Sequence, residues 1–498
     1  MTEFMIDLQG GAKAPLYEKI YEYIKSEITA GKLAKGEKLP STRRLAEGLS
    51  ISRSTVDMAY EQLRAEGYIK AEPCRGFFVC DITGLYRLGQ KQPDAGEENV
   101  ADREAVCFGE TGDRRMEIDF SPYAIDTESF PYNVWRKISK NVLLDDREEL
   151  LFAGDGQGSR QLRETIAVYL HRARGVNCLP EQIVIGAGNE YLEILLSQIL
   201  GGGQTVLMEN PGYPQAYRTF RNMGCEVKTV PAGEDGLSVE AVRRENPSLV
   251  YVMPSHQFPL GSVMPLGERI RLLAWAAGEC GRYLIEDDHD SEYRYRGKPI
   301  PSLQSIDQSG KVIYLGTFSK SIAPSLRISY MVLPPELLER YRNRCGFYAT
   351  TVPRMQQEIL NSFIREGHFE RHLNKMRGIY RSRHDFLLGE LKKREWVRRI
   401  VGEYAGLHFL VEVESALAGQ EICARAAQLG VGVSDIEQYD LRREKAASGA
   451  VEGQKTEYPL LLLGYGRLHE AEMEKGLVIL DKILSCETHR DETDEYKK

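Results

Sequence analysis

A chain of 498 residues is longer than one hydrophobic core normally serves, and at roughly 100–200 residues per domain it predicts two to four domains. Its 42% hydrophobic and 28% charged content excludes a fibrous or largely disordered chain, and 65 basic against 73 acidic side chains exclude nucleic-acid binding through bulk positive charge. There is no apolar run of the roughly 18–20 residues a membrane span needs and no signal-peptide pattern in MTEFMIDLQG, while nine scattered cysteines without a C-x-x-C pair read as reduced thiols; a cytoplasmic protein with no membrane or metal chemistry is expected.

The first 80 residues stand apart electrostatically, with 12 basic and 11 acidic side chains against 53 and 62 in the remaining 418. Leu16, Ile20, Ile24 and Ile28 recur every four residues, which puts one apolar stripe on a helix from near Pro15 to near Gly31. Ser41 before TRRLAEGL and Ser52 before RSTVDMAYEQLRAEG are N-caps of two further helices, whose apolar faces carry Leu45 and Leu49, then Val56, Tyr60 and Leu63. Their short separation, followed by GYIKAE and RGFFVCD around a turn at Pro73 to Gly76, predicts a winged helix-turn-helix over 1–80.

Between Asp81 and Met116 apolar periodicity dissolves, which predicts a flexible linker of 36 residues with an r.m.s. span of roughly 30–36 Å. Residues 117–486 alternate short β runs (IVIGA, TVLMEN, SLVYVMP, RYLIEDD, KVIYLGT) with amphipathic helical stretches. The fold class is therefore α/β, with a mainly parallel sheet covered on both faces and ligands expected beyond the carboxyl ends of its strands. A charged tail is expected over 487–498.

The richest chemistry follows the strand VIYLG, in the stretch Thr317 to Arg327. A lysine at a strand end can be desolvated, which lowers its pKa and frees a neutral amine for an aldehyde; Thr317 and Arg327 are near enough in sequence to take a phosphate on that aldehyde. Lys320 by itself would read as a solvated surface lysine. The strand RYLI runs into Glu286-Asp287-Asp288-His289-Asp290, where an Asp can pair with a protonated pyridine nitrogen, although such a run also suits a cation site or a helix-capping loop. Gly186 and Gly188 precede a helix whose start can receive a phosphate, Tyr213 can stack on a flat ring, and His256 ends the strand VYVMP. A core tyrosine and a hydrogen-bonded histidine are the plainer readings of the last two.

Taken together, ENPGYP, MPSHQFPLG, IEDDHDSEYRY and GTFSKSIAPSLRISY, in this order, resemble the aminotransferase-like half of the MocR/GabR-type bacterial transcription regulators. LPSTRRLAEGLSISRSTVDMAYEQLRAEGYI with RGFFV resembles their GntR-type winged helix. The resemblance implies a fold-type I aminotransferase-like domain that binds pyridoxal 5'-phosphate, usually in a head-to-tail homodimer. It implies Lys320 as the Schiff-base lysine, Asp287 as the partner of the pyridine nitrogen and Tyr213 as the stacking ring. Phosphate contacts fall on Thr317, Arg327 and the backbone around Ala187, Gly188 and Asn189, and His256 joins the cofactor set. His289 departs from the family's usual tyrosine near the phenolic oxygen, and its different pKa leaves the cofactor's spectrum open. Arg467 is the candidate for an effector carboxylate, or equally a surface arginine.

For a double-stranded DNA operator, the second helix of the pair would enter the major groove with Arg53, Ser54 and Thr55 foremost. Ser41 and Arg43 would hold phosphate, and Arg75 and Gly76 would form the wing tip; a winged helix used only for protein contact is the alternative. Asp57 occupies a position often basic in relatives. Two functions follow: a regulator that senses an amino compound or the cofactor itself, or an active aminotransferase with an accessory DNA-binding domain.

Overall fold

The computed structural model describes residues 15–73, 75–80, 116–144, 148–233, 236–295, 300–403, 405–443 and 458–485. The chain divides into two compact units, Met1–Thr111 and Gly112–Lys498. Apart from Met116, the expected linker lies outside the described residues, as does the expected tail.

In the first unit the apolar stripe forms α1 (Leu16–Thr29), which buries Ile20, Tyr21, Ile24 and Ile28. Leu16, the first position of that stripe, is exposed because it opens the helix, beyond the reach of the core. Ser41 and Ser52 cap α2 (Thr42–Leu49) and α3 (Arg53–Ala65), each accepting from the backbone N–H three residues on, at 3.3 Å. The turn between them passes through Ser50 at φ 56, a left-handed cap. β1 (Ile69–Glu72) and β2 (Gly76–Val79) pair antiparallel as the wing. Tyr60 ties the parts together: fully buried, it donates its hydroxyl to the Pro40 carbonyl at 3.0 Å and packs edge-on against Phe77 of the wing.

The second unit opens with β3 (Ile118–Asp119), α4 (Tyr132–Leu144) and α5 (Arg160–Arg174). Its large sheet is then laid down in strand–helix alternation: β4 (Ile183–Gly186), α6 (Asn189–Leu200), β5 (Thr205–Asn210), α7 (Pro214–Asn222), β6 (Glu226–Pro231), α8 (Val239–Glu245), β7 (Leu249–Val252), α9 (Leu266–Ala277) and β8 (Tyr283–Asp288). β9 (Val312–Thr317) and β10 (Ser329–Val332) complete it, in the order β4-β10-β9-β8-β7-β5-β6. Every strand is parallel except β10, which runs antiparallel to both its neighbours.

Helices cover both faces, so side chains of one strand alternate between two cores. Tyr251 and Ile285 join the core under α6 and α7, while Val250, Val252 and Leu284 join the one under α9. Helices α10 (Pro335–Arg344), α11 (Arg354–Arg365) and α12 (His368–Leu391) lead to a subdomain absent from the sequence expectation. It contains β11 (Val397–Val401), β12 (His408–Val413), α13 (Gly419–Gln428), β13 (Val431–Gly432), β14 (Ser434–Asp435), β15 (Leu460–Gly464) and α14 (Glu470–Ser485). Four of its strands form an antiparallel sheet, β11-β12-β15-β14, packed on α12 and α14. Among the described residues no helix is long and apolar enough to cross a membrane.

Candidate functional site

The carboxyl ends of the parallel strands surround a cavity of about 220 Å³ whose walls include Gly188, Asn189, Tyr213, Asp287, His289, Thr317, Lys320 and Arg327. Eight of the residues singled out from sequence therefore meet in one place.

The acidic run at the end of β8 resolves through strand alternation. Glu286 and Asp288 face away from the cavity: Glu286 accepts the backbone N–H groups of Leu303 and Gln304 at 2.7 and 2.8 Å, and Asp288 receives Arg174 Nε at 2.6 Å and the Tyr314 hydroxyl. Asp287 faces the cavity, where the Tyr251 hydroxyl and Asn189 Nδ2, at 3.4 Å, donate to it. Burial pushes its carboxyl up to about 7, aided by Asp288 and opposed by Tyr251 and Lys320. Burial lowers the pKa of the Lys320 ammonium, with Asp290 and Asp287 opposing the shift. Its Nζ lies over the rings of Tyr123 and Phe258, 5.6 and 6.0 Å from their centroids.

The third wall is a cup for an anion. Arg327 sits at φ 49 and brings its guanidinium against Gly188, where a Cβ would collide with it. Thr317 Oγ1 is held by the Ser329 hydroxyl at 2.9 Å and by the Ser319 N–H at 3.1 Å. The Ala187 N–H donates to Thr351 Oγ1 at 3.1 Å and that of Gly188 to the Gly186 carbonyl at 2.9 Å. The first turn of α6, beginning at Asn189, is left to offer the free donors of a helix start. Glu190, in that turn, also lines the cavity and pairs with Arg327 at 2.5 Å.

Three expected residues fall outside the lining: Ala187, whose N–H is already taken by Thr351, His256 and Arg467. His256 is outside the lining: the chain turns after β7, and both carboxylate oxygens of Asp290 lie 3.0 Å from its Nδ1, behind His289. His256, His289 and Asp290 hold ligand-type atoms within 4.8 Å of one another, the one such cluster of metal-ligating side chains among the described residues. Burial holds His289 down to about 4 and His408, beside His256, down to about 3. Arg467 is exposed and outside the cavity lining. Conversely, Tyr123, Phe258, Ser319 and Glu190 line the cavity without having been singled out. Glu190 carried a readable signal, an acid in the first turn of a helix that follows two glycines.

In the first unit, Arg53, Ser54 and Thr55 form the start of α3, the first two exposed and Thr55 partly buried, with the Ser54 and Thr55 hydroxyls both 2.8 Å from Ser52 Oγ. Each expected contact arginine faces a nearby acid: Arg43 with Glu47 at 3.1 Å, Arg53 with Asp57 at 3.4 Å and Arg75 with Glu72 at 2.7 Å. Gly76 enters β2 at φ 109, a conformation disfavoured for any residue with a side chain.

Residues 16–79 match the family of bacterial regulatory proteins, gntR family, and residues 117–442 match aminotransferase class I and II. The chain is 40% identical to the HTH-type transcriptional regulator YdeL of Bacillus subtilis, over 85% of this chain and 89% of that protein. It is 34% identical to the probable rhizopine catabolism regulatory protein MocR of Rhizobium meliloti, over 95% and 94%. The structure of LysN, the alpha-aminoadipate aminotransferase of Thermus thermophilus, superposes with a TM-score of 0.62 at 26% identity, covering 74% of this chain and 92% of that one.

Proposed function

The chain belongs to the MocR/GabR-type subfamily of GntR transcription regulators, and from that premise we propose a DNA-binding regulator that binds pyridoxal 5'-phosphate and senses an amino compound or the cofactor itself. The observation that carries this reading is one cavity walled by Lys320, Asp287 and Arg327, in a chain that also holds a winged helix led by Arg53. Pyridoxal phosphate supplies an aldehyde that condenses reversibly with primary amines and an electron-poor ring.

The residues present fit that group. Asn189 Oδ1, His289 Nε2 and Ser319 Oγ are buried without a hydrogen-bond partner among the described residues, His289 Nε2 lying 3.5 Å from the Asp290 carboxylate, and burial raises the Asp287 carboxyl to about 7, a value that a pyridinium would pull down. Lys320 attaches the cofactor, Asp287 holds the ring nitrogen, Tyr213 lies against the ring and His289 addresses the phenolic oxygen. Thr317, Ser319, Arg327 and the start of α6 hold the phosphate. In the first unit Arg53, Ser54 and Thr55 read bases, Ser41 and Arg43 hold phosphate, and Arg75 and Gly76 form the wing contact.

The functional unit is a homodimer. Large apolar side chains stand exposed on the second unit: Phe347 at 79%, Leu151 at 72%, Leu144 at 64%, and Leu143 and Phe152 at 63% each. Segment 149–152 and the following α11 are joined by Arg354, which donates to the carbonyls of Glu149 and Phe152, so part of this apolar surface is held in a fixed shape.

The test is a footprint on DNA flanking the gene, with and without pyridoxal phosphate and candidate amines. Cofactor-loaded protein should be coloured and should become fixed at Lys320 by borohydride. A colourless protein that ignores the added cofactor would overturn the cofactor half, and a footprint unmoved by any amine would overturn the sensor half. The desolvated Lys320 amine also favours turnover as an aminotransferase. Sustained multiple turnovers with amino donors and keto acids support the enzyme; a half-reaction or none supports the sensor.

A further inference from the structure

Helices α5, α11 and α12 enclose a second cavity of about 560 Å³ in the same unit, a volume within the roughly 300–1,000 Å³ typical of small-molecule sites. One stripe from each helix faces it: Thr165, Val168 and Arg172 on α5, Asn361 and Arg365 on α11, Phe369 and Leu373 on α12. Val168, Ala173, Ile364, Phe369 and Leu373 give it an apolar wall, and most of the remaining lining is polar or charged, a composition that suits an amphipathic ligand rather than a purely apolar one.

Two features demand an occupant that accepts hydrogen bonds and carries negative charge. Asn361 is 1% exposed; its Oδ1 receives the Thr165 hydroxyl at 2.7 Å, while its Nδ2 is buried without a partner among the described residues. A buried amide N–H with no acceptor is destabilising, so native structures rarely keep one. Arg172 and Arg365 have no carboxylate partner among the described residues. Of the acids in the walls, Glu164 is tied to Arg160 at 2.9 Å, which leaves Glu292, taking the neutral Tyr169 hydroxyl at 3.2 Å, and Glu370 against Arg172, Arg365 and Arg377.

We propose that this cavity binds a small amphipathic organic anion, its acidic group on Asn361, Arg172 and Arg365 and its apolar body against Val168, Phe369 and Leu373. One residue also links the site to the strand that ends at the cofactor cavity. Arg174 lines this second cavity and holds Asp288 and the Ser255 hydroxyl at 2.6 and 2.7 Å, next in sequence to Asp287. An occupant is thus placed to act on the strand end that carries Asp287. The proposal does not depend on the amine-sensor reading.

The probe is 8-anilinonaphthalene-1-sulfonate, titrated by fluorescence into the full-length chain loaded with pyridoxal phosphate. Val168→Trp fills the cavity from a half-exposed position, and Arg365→Ala removes a cation from the rim. The expected result is saturable binding that V168W weakens by ~10-fold or more and R365A by ~3–10-fold. Circular dichroism and cofactor absorbance should stay unchanged in both. Binding equal to wild type in V168W overturns the proposal; if V168W does not fold, an unchanged affinity in R365A overturns it instead. Displacement of the probe from cofactor-free chain by pyridoxal phosphate overturns it too, since the probe would then occupy the other cavity.

Discussion

Arg327 holds Glu190 at 2.5 Å across the cavity in which Lys320 and Asp287 meet, so the strongest cation of the anion cup already carries a carboxylate. Both partners are about half exposed, which limits the worth of their pairing to about 0.2–1 kcal/mol. A phosphate dianion must share or displace that carboxylate and also meets its negative charge. Glu190→Gln should therefore tighten pyridoxal phosphate binding by ~3–10-fold, read by absorbance titration of cofactor-free protein. Unchanged or weaker binding would show that Arg327 is not a phosphate contact.

His289, in the cavity wall, and His408, packed beside His256 outside the lining, make the fold sensitive to acid. Burial holds them at about 4 and about 3, below the ordinary 6.5, so the unfolded chain takes up protons first as pH falls. Stability is unaffected above pH 6.5, and each group removes some as pH drops through the window down to its folded value, by up to about 2 kcal/mol at pH 5. Asp287 and Glu286, both raised to about 7 chiefly by burial, act with the opposite sign, so a comparison of variants isolates the histidine. His408→Gln keeps a donor for the Pro259 carbonyl, which His408 Nε2 meets at 3.0 Å. It should reduce the loss of urea stability between pH 7 and pH 5 by about 1–2 kcal/mol. An unchanged loss would mean that His408 titrates normally.

Much of this site was legible because strand ends in a parallel sheet collect polar residues, so Asp287, Thr317 and Lys320 stand out against the apolar runs before them. What escaped depends on contacts distant in sequence. Tyr251 reads as a mid-strand core residue, yet its hydroxyl reaches Asp287 on the neighbouring strand. His256 follows a strand as a ligand would, but Asp290, 34 residues later, draws it behind the cavity. The fold shows the same division. Caps and periodicity disclose α1 to α3, whereas the short run that forms β10 looks like its parallel neighbours, although its direction is reversed. The apolar strands β12 and β15 likewise carry no mark of belonging to a separate antiparallel sheet.

Arg53 and Asp57 stand one turn apart at the start of α3, 3.4 Å from each other and both exposed. Asp57 thus neutralises the side chain expected to lead into the major groove. Arg53→Ala should weaken binding of the full-length protein to duplex DNA and lower the slope of log K against log salt by about 1. Asp57→Ala should strengthen binding to DNA of random sequence by ~3–10-fold at low salt, the effect fading as salt rises. Equal affinities for D57A and wild type at low salt would place this face away from the phosphates.

Arg174 and Asp288 form an ion pair with side chains only 4% and 3% exposed. Taking either charge out of water is costly, and the geometry offsets that cost through further bonds: Arg174 also donates to the Ser255 hydroxyl and the Ile300 carbonyl, and Asp288 also receives the Tyr314 hydroxyl. Arg174→Met would leave Asp288 buried and uncompensated beside Asp287, so unfolding free energy should fall by about 3–5 kcal/mol. Adding Asp288→Asn removes the stranded charge while keeping an acceptor for Tyr314, and should restore about 1–3 kcal/mol of that loss. If the double variant is no more stable than R174M, the pair contributes by packing and hydrogen bonding and its charges are not coupled. The same set separates stability from function: with Asp288 neutral, Asp287 loses one of the groups that raise its pKa, so R174M/D288N should bind pyridoxal phosphate at least as tightly as R174M does.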